Sequence, residues 1–195
     1  MPLLAAEPCL FPECLLDPST AEHAGASRWW VMHTKPRAEK ALARRLLGRE
    51  LGFFLPLYEH RLAYAGRVRT SHLPLFPGYV FFHGDEEDRR LALETQQIAQ
   101  SLSVTDQAGL FNDLRRIYQL LEARQNLTPE ARLQPGTPVR IVAGSFAGLT
   151  GTVIRRGRRL RFVVAISFLQ SGASVDVEDW MIEPIESPLR LGDVN

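Results

Sequence analysis

The chain has 195 residues, 45% of them hydrophobic, and a net charge of +1, which suits one large or two small folded domains. No apolar run reaches the ~20 residues of a membrane-spanning helix, and the first residues lack the basic and apolar regions of a secretory signal. A cytoplasmic protein without membrane contact is therefore expected. The charge is polarised: residues 1–27 carry four acids and no Lys or Arg, whereas residues 28–84 carry ten Lys or Arg against three acids. Such a basic block suits either a polyanion such as nucleic acid or a solvated basic helix.

Residues 1–27 mix Pro, Ala, Glu and Ser without periodicity and read as a disordered N-terminal extension. Its two cysteines, Cys9 and Cys14, have no further Cys or nearby His to complete a metal set and are expected as free thiols. The first ordered element is a strand over 28–33, with Trp29, Val31 and His33 on one face and Trp30 and Met32 on the other. A helix then starts at a cap on Thr34 or Lys35, with Pro36 in its first turn and Glu39 near the positive dipole end, and runs to about Leu51. Ala38, Leu42 and Leu46 form its inward stripe, and Arg37, Lys40 and Arg44 a basic stripe on another face.

Residues 52–58 read as a short strand, which Pro56 places near a sheet edge. A hairpin over 59–70 turns near Ala65-Gly66 and carries Arg61, Arg67 and Arg69 on its arms. The stretch 74–82, Pro-Leu-Phe-Pro-Gly-Tyr-Val-Phe-Phe, is an extended approach followed by an aromatic strand. Tyr79, Phe81 and His83 alternate there with Val80 and Phe82. Apolar side chains on both faces imply a second packed layer or a docking surface. Asp85–Asp88 start a second helix, residues 98–104 a last strand, and Asn112 caps a third helix with Leu114, Ile117, Tyr118 and Leu121 in register. Strands alternating with helices in this order indicate an α+β domain over 28–124, an antiparallel sheet flanked by helices.

The two prolines of 125–135 make a linker. Over 136–186 five short β-branched runs with glycine punctuation indicate a small all-β barrel, followed by a tail at 187–195. Five arginines between Arg155 and Arg161 surround Gly157 at one of its hairpins, as a nucleic-acid contact or a solvated tip. The five histidines are scattered, and no nucleophile–base pair, P-loop or metal motif is present, so no catalytic residue, metal or cofactor is expected.

Val139-Arg-Ile-Val-Ala-Gly-Ser-Phe-Ala-Gly-Leu-Thr-Gly-Thr-Val153 closely resembles a KOW motif. Trp29–Arg37 together with Pro74–Phe81 resembles the N-terminal domain of the NusG family. The resemblance implies a transcription elongation or antitermination factor whose N-terminal domain docks on the clamp helices of RNA polymerase and suppresses pausing. Its five-stranded KOW barrel would recruit a ribosomal protein or the termination factor Rho. By position, Tyr79 and Phe81 fall on the polymerase-contacting aromatics, with His33 completing the patch. Val80 and Phe82 go to the core. Arg37, Lys40 and Arg44, with Arg67 and Arg69 of the hairpin, would lie near upstream or non-template DNA, and Phe168 or Leu169 would meet the KOW partner.

Gln97-Ile-Ala-Gln-Ser-Leu102 stands where the general factor carries a glycine-rich segment, which with the acidic N-terminal tail looks more like an operon-specific paralogue of the RfaH type. The His-Thr-Thr element of RfaH is absent, with Arg90-Leu-Ala92 near its place. RfaH folds its C-terminal domain as a helical hairpin; here the β-branched run 160–166 and the glycines at 157 and 172 favour a barrel. A monomer is expected. The alternative reading is a KOW-type RNA-binding module of the translation apparatus, which the paired N-terminal domain argues against.

Overall fold

The computed structural model describes residues 9–18, 26–64, 67–123, 127–130, 136–156 and 159–185, without the side chains of 61–69, 155–159 and 179. Its N-terminal sheet combines β1 (Leu10–Phe11), β2 (Arg28–Thr34), β3 (Gly52–Phe54), β6 (Tyr79–Gly84) and β7 (Ile98–Ser103). The strand order is β1-β3-β6-β2-β7, with every pair antiparallel. Strands β4 (Leu57–Tyr64) and β5 (Arg67–Pro74) form a separate two-stranded arm paired from Leu57↔Pro74 to Tyr64↔Arg67. The expected turn at Ala65-Gly66 lies outside the described residues.

Alternation along the strands builds two dry layers. Residues directly opposite across antiparallel strands share a face, and the register aligns Leu10, Phe54, Phe81, Val31 and Leu102 in one row across all five strands. The adjacent row, Phe11, Phe53, Phe82 and Trp30, faces the other way. Helices α1 (Glu39–Leu47) and α2 (Glu86–Leu93) cover the second row with Leu42, Ala43, Leu46 and Ala92, and Met32 and Val80 are buried there with it. Helix α3 (Gln107–Glu122) covers the first with Leu110, Leu114, Ile117 and Leu120.

The helix starts are set by side chains. Asp85 and Asp88 form a reciprocal capping box on α2, the Asp88 N–H donating to Asp85 Oδ1 at 2.9 Å. Asp106 caps α3 by accepting from the Gly109 N–H at 2.8 Å, so Asn112 is an interior residue rather than the cap. Gln107 then fixes α3 to the sheet. Its Oε1 accepts from the Trp29 N–H at 2.7 Å, and its Nε2 donates to the Trp29 carbonyl at 3.0 Å. Helix α1 begins later than the sequence suggests, because Arg37 at φ 59° adopts a left-handed conformation incompatible with a right-handed helix.

Two segments expected to be irregular are structured. Part of the N-terminal extension forms β1, which pairs with β3, and a 3-10 turn at Glu13–Leu16, whose Leu15 and Leu16 are buried. The backbone of the extension thus satisfies a sheet edge while its side chains lengthen both apolar rows, and β3, expected near an edge, becomes internal. Within the linker, β8 (Thr128–Glu130) pairs with β12 (Ser171–Val177). There the Glu130 carboxylate accepts from the buried Ser174 hydroxyl at 2.6 Å.

The C-terminal unit is a six-stranded antiparallel sheet ordered β13-β9-β10-β11-β12-β8. Its remaining strands are β9 (Thr137–Ile141), β10 (Thr150–Arg156), β11 (Arg159–Ile166) and β13 (Ile182–Pro184). Residues 137–184 carry no α-helix among those described. Helix α3 packs against β11, so Leu114 and Ile117 share a continuous apolar cluster with Phe162 and Val164.

Two measurements check this packing. Leu15→Ala or Leu16→Ala is expected to lower the urea-unfolding stability of the full chain by about 2–5 kcal/mol, the range for a buried leucine; a disordered tail gives less than ~0.5 kcal/mol. On β6, burial pushes the His83 imidazole below its usual pKa of 6.5, against a smaller upward pull from Asp88. Native His83 therefore stays neutral where the unfolded chain takes up a proton. Its contribution is full above pH 6.5 and is lost as pH falls below it. His83→Asn is expected to flatten that acid-side loss relative to the parent chain.

Candidate functional site

The aromatic site is built on the turn that feeds β6. Pro77 and Gly78 occupy its two central positions, the Tyr79 N–H donates to the Phe76 carbonyl at 3.1 Å, and Gly78 has φ +86°, the signature of a type II turn. Two further bonds hold the glycine. Its carbonyl accepts from the Thr34 N–H at 2.8 Å, and its N–H donates to Glu39 Oε1 at 2.7 Å. The cross-strand pair His33↔Tyr79 lies beside this turn, half-buried, with ring centroids 5.2 Å apart and planes tilted by 30°. The imidazole is 3.6 Å from the point where a Cβ on Gly78 would sit.

Phe81 does not share this surface. It is 0% exposed, packed edge-on to Phe76 at 5.8 Å and beside Phe54 at 6.4 Å, in the cluster covered by α3. Its expected role as a docking contact is corrected accordingly. Alternation puts Phe81 on the same side as Tyr79, but two residues further along the strand that side is already roofed. Tyr79 and His33 keep exposed surface, and Tyr79 packs against the edge of the cluster that holds Phe81.

The basic residues sit elsewhere. Lys40 and Arg44 lie on α1, which covers the opposite face of the sheet from Tyr79, and Arg37 is exposed in the turn before that helix. The three therefore do not form one helical stripe, since Arg37 is outside the helix. Arg67 and Arg69 belong to the β4–β5 arm, and their side chains lie outside the described residues.

In the C-terminal unit Phe168 and Leu169 share a 3-10 turn, Ser167–Leu169, between β11 and β12. Phe168 is 41% exposed, whereas Leu169 is half-buried against the core, so Phe168 is the side chain presented to solvent. The turn rests on α3. Its Ser167 N–H donates to Asp113 Oδ2 at 2.8 Å, and Asp113, only 3% exposed, also pairs with Arg116. A cavity of about 470 Å³ opens beside this contact, lined by Val104, Leu110, Asp113, Arg116, Ser167 and Phe168 among others.

Sequence reasoning missed the roles of Glu39 and Asp113. Glu39 read as a dipole-compensating acid, with no local sign that its carboxylate reaches a turn 39 residues away. Asp113 left a usable signal, a carboxylate on the inward face of α3 three residues after Leu110 and four before Ile117. Burial pushes the Cys9 thiol above its usual pKa, which disfavours the reactive thiolate. Among the described residues no group of three or more His, Cys, Asp or Glu is placed to hold a metal ion, and no helix is long and apolar enough to cross a membrane.

The chain is similar to a transcription termination/antitermination protein NusG of Pseudomonas aeruginosa, at 27% identity, covering 82% of this chain and 99% of that protein. Among solved structures it matches the MjSpt4:Spt5 complex in conformation B at 18% identity and a TM-score of 0.25, covering 82% of this chain and 97% of that one. The family described as transcription termination factor nusG matches residues 27–126. That span runs from the approach to β2 to just beyond α3 and takes in the Pro77–Tyr79 turn and His33. The chain belongs to the NusG family.

Proposed function

We propose that this protein is a non-enzymatic transcription elongation and antitermination factor that binds RNA polymerase through the His33–Tyr79 surface and suppresses pausing. The observation that carries the reading is the aromatic pair itself. Two half-buried rings stand beside a turn fixed by three hydrogen bonds, within the segment that matches the family. Rigid aromatics with one solvent-facing side bind a protein partner at low cost in side-chain entropy. Phe81, buried in the cluster under α3, is read as a core residue rather than a contact.

Lys40 and Arg44, with Arg37, Arg67 and Arg69, would lie near upstream or non-template DNA in the elongation complex. The placement of Lys40 and Arg44 on α1, across the sheet from Tyr79, supports simultaneous contact with polymerase on one side and nucleic acid on the other. The C-terminal sheet is read as a KOW barrel that recruits a ribosomal protein or Rho through Phe168, the exposed apolar residue of its turn. Gln97–Leu102, in place of a glycine-rich segment, favours an operon-specific member of the RfaH type.

Tyr79→Ala combined with His33→Ala is expected to weaken binding of the full chain to core RNA polymerase by at least ~30-fold, the loss of one interfacial hot spot, with the thermal transition retained. Unchanged affinity in a folded variant rejects the docking assignment. Phe81→Ala, by contrast, should lower stability by about 3–5 kcal/mol as a core truncation. Neutralising Lys40 and Arg44 should reduce the salt dependence of binding to an assembled elongation complex by roughly one unit of log–log slope per lost phosphate contact. An unchanged slope assigns both to a solvated face.

A further inference from the structure

We propose that Glu39 is a positioning residue for polymerase docking, its carboxylate holding the Pro77–Gly78 turn in the conformation that presents Tyr79 beside His33. The inference rests on the docking reading above and adds to it a residue that touches no partner. Glu39 opens α1 and is 8% exposed, an uncommon burial for a carboxylate. Its Oε1 accepts the Gly78 N–H at 2.7 Å, across the interval between the helix start and the turn.

The turn needs this anchor because Gly78 sits at φ +86°. Its carbonyl is bonded to the β2 backbone through Thr34, so the Glu39 contact restrains the opposite side of the same residue. With the acceptor gone, the Gly78 amide is an unpaired donor under partial burial. The Pro77–Gly78 peptide is then free to rotate toward water, which loosens the turn on which Tyr79 stands and leaves only its Thr34 and Phe76 bonds to hold it.

An acid in the first turn of a helix also favours the macrodipole, and substitution separates the two roles. Asp at position 39 keeps the charge at the helix start but is one methylene too short to reach Gly78. Gln keeps the reach and an acceptor oxygen without the charge. For the full chain, Glu39→Asp and Glu39→Ala are expected to weaken binding to core RNA polymerase about tenfold and to speed amide exchange at Gly78 by a similar factor. Glu39→Gln should stay within about threefold of the parent in both.

Wild-type affinity in the Asp variant, with Gly78 exchange accelerated, overturns the positioning role, as does a Gln variant as weak as Ala. Tyr79→Ala is measured alongside. If it weakens binding while Glu39→Asp does not, the positioning inference fails alone. If Tyr79→Ala leaves affinity unchanged, the docking reading fails and takes the inference with it.

Discussion

Phe81 and Phe82 are consecutive residues of one central strand, and neither has any exposed surface. Because successive side chains point to opposite faces, that one fact demands cover on both sides of the sheet. It explains why α1 and α2 pack on one face and α3 on the other, and why the first and last strands also contribute apolar side chains to the Phe81 row. The docking surface proposed on the α3 side is therefore limited to residues that the helix leaves partly exposed, Tyr79 and His33. A partner that reached Phe81 itself would have to displace the helix.

The same roof links the two halves of the chain. One side of α3 closes the N-terminal sheet, and the helix also meets β11 and the Ser167–Leu169 turn, where Asp113 accepts a backbone N–H from the C-terminal unit. A buried carboxylate without partners is costly. Asp113 is stable at 3% exposure because Arg116 and the Ser167 amide both satisfy it. The exposed Phe168 is held next to that contact, so the geometry of the turn proposed to meet the KOW partner is set in part by a helix of the other unit.

Much of this was legible in the sequence because alternation and helical periodicity are local. The faces of β2 and β6 and the inward Leu42 and Leu46 followed from spacing, and the β strand at 160–166 from its β-branched residues, whereas Ala38, read into the same stripe, is the cap before the helix. What was not legible depended on pairing between distant residues. Leu10-Phe11 is too short to show a period and becomes a strand only beside β3; Thr128–Glu130 contains a proline and becomes one only beside β12. Alternation placed Phe81 on the Tyr79 side without saying how far the cover extends along it. Likewise, the reach of Glu39 to Gly78 is a tertiary fact, and Arg37, read as helical, turned out to be the left-handed residue before the helix.

Hydrogen–deuterium exchange of the full chain, free and bound to core RNA polymerase, tests the central claim that docking uses the margin of an intact roof. The account predicts new protection at residues 76–79 and around His33 on binding, with α3 amides from Leu110 to Leu120 as protected as in the free protein. Loss of protection along α3 in the complex would mean that the helix lifts and Phe81 itself is presented, contradicting the account.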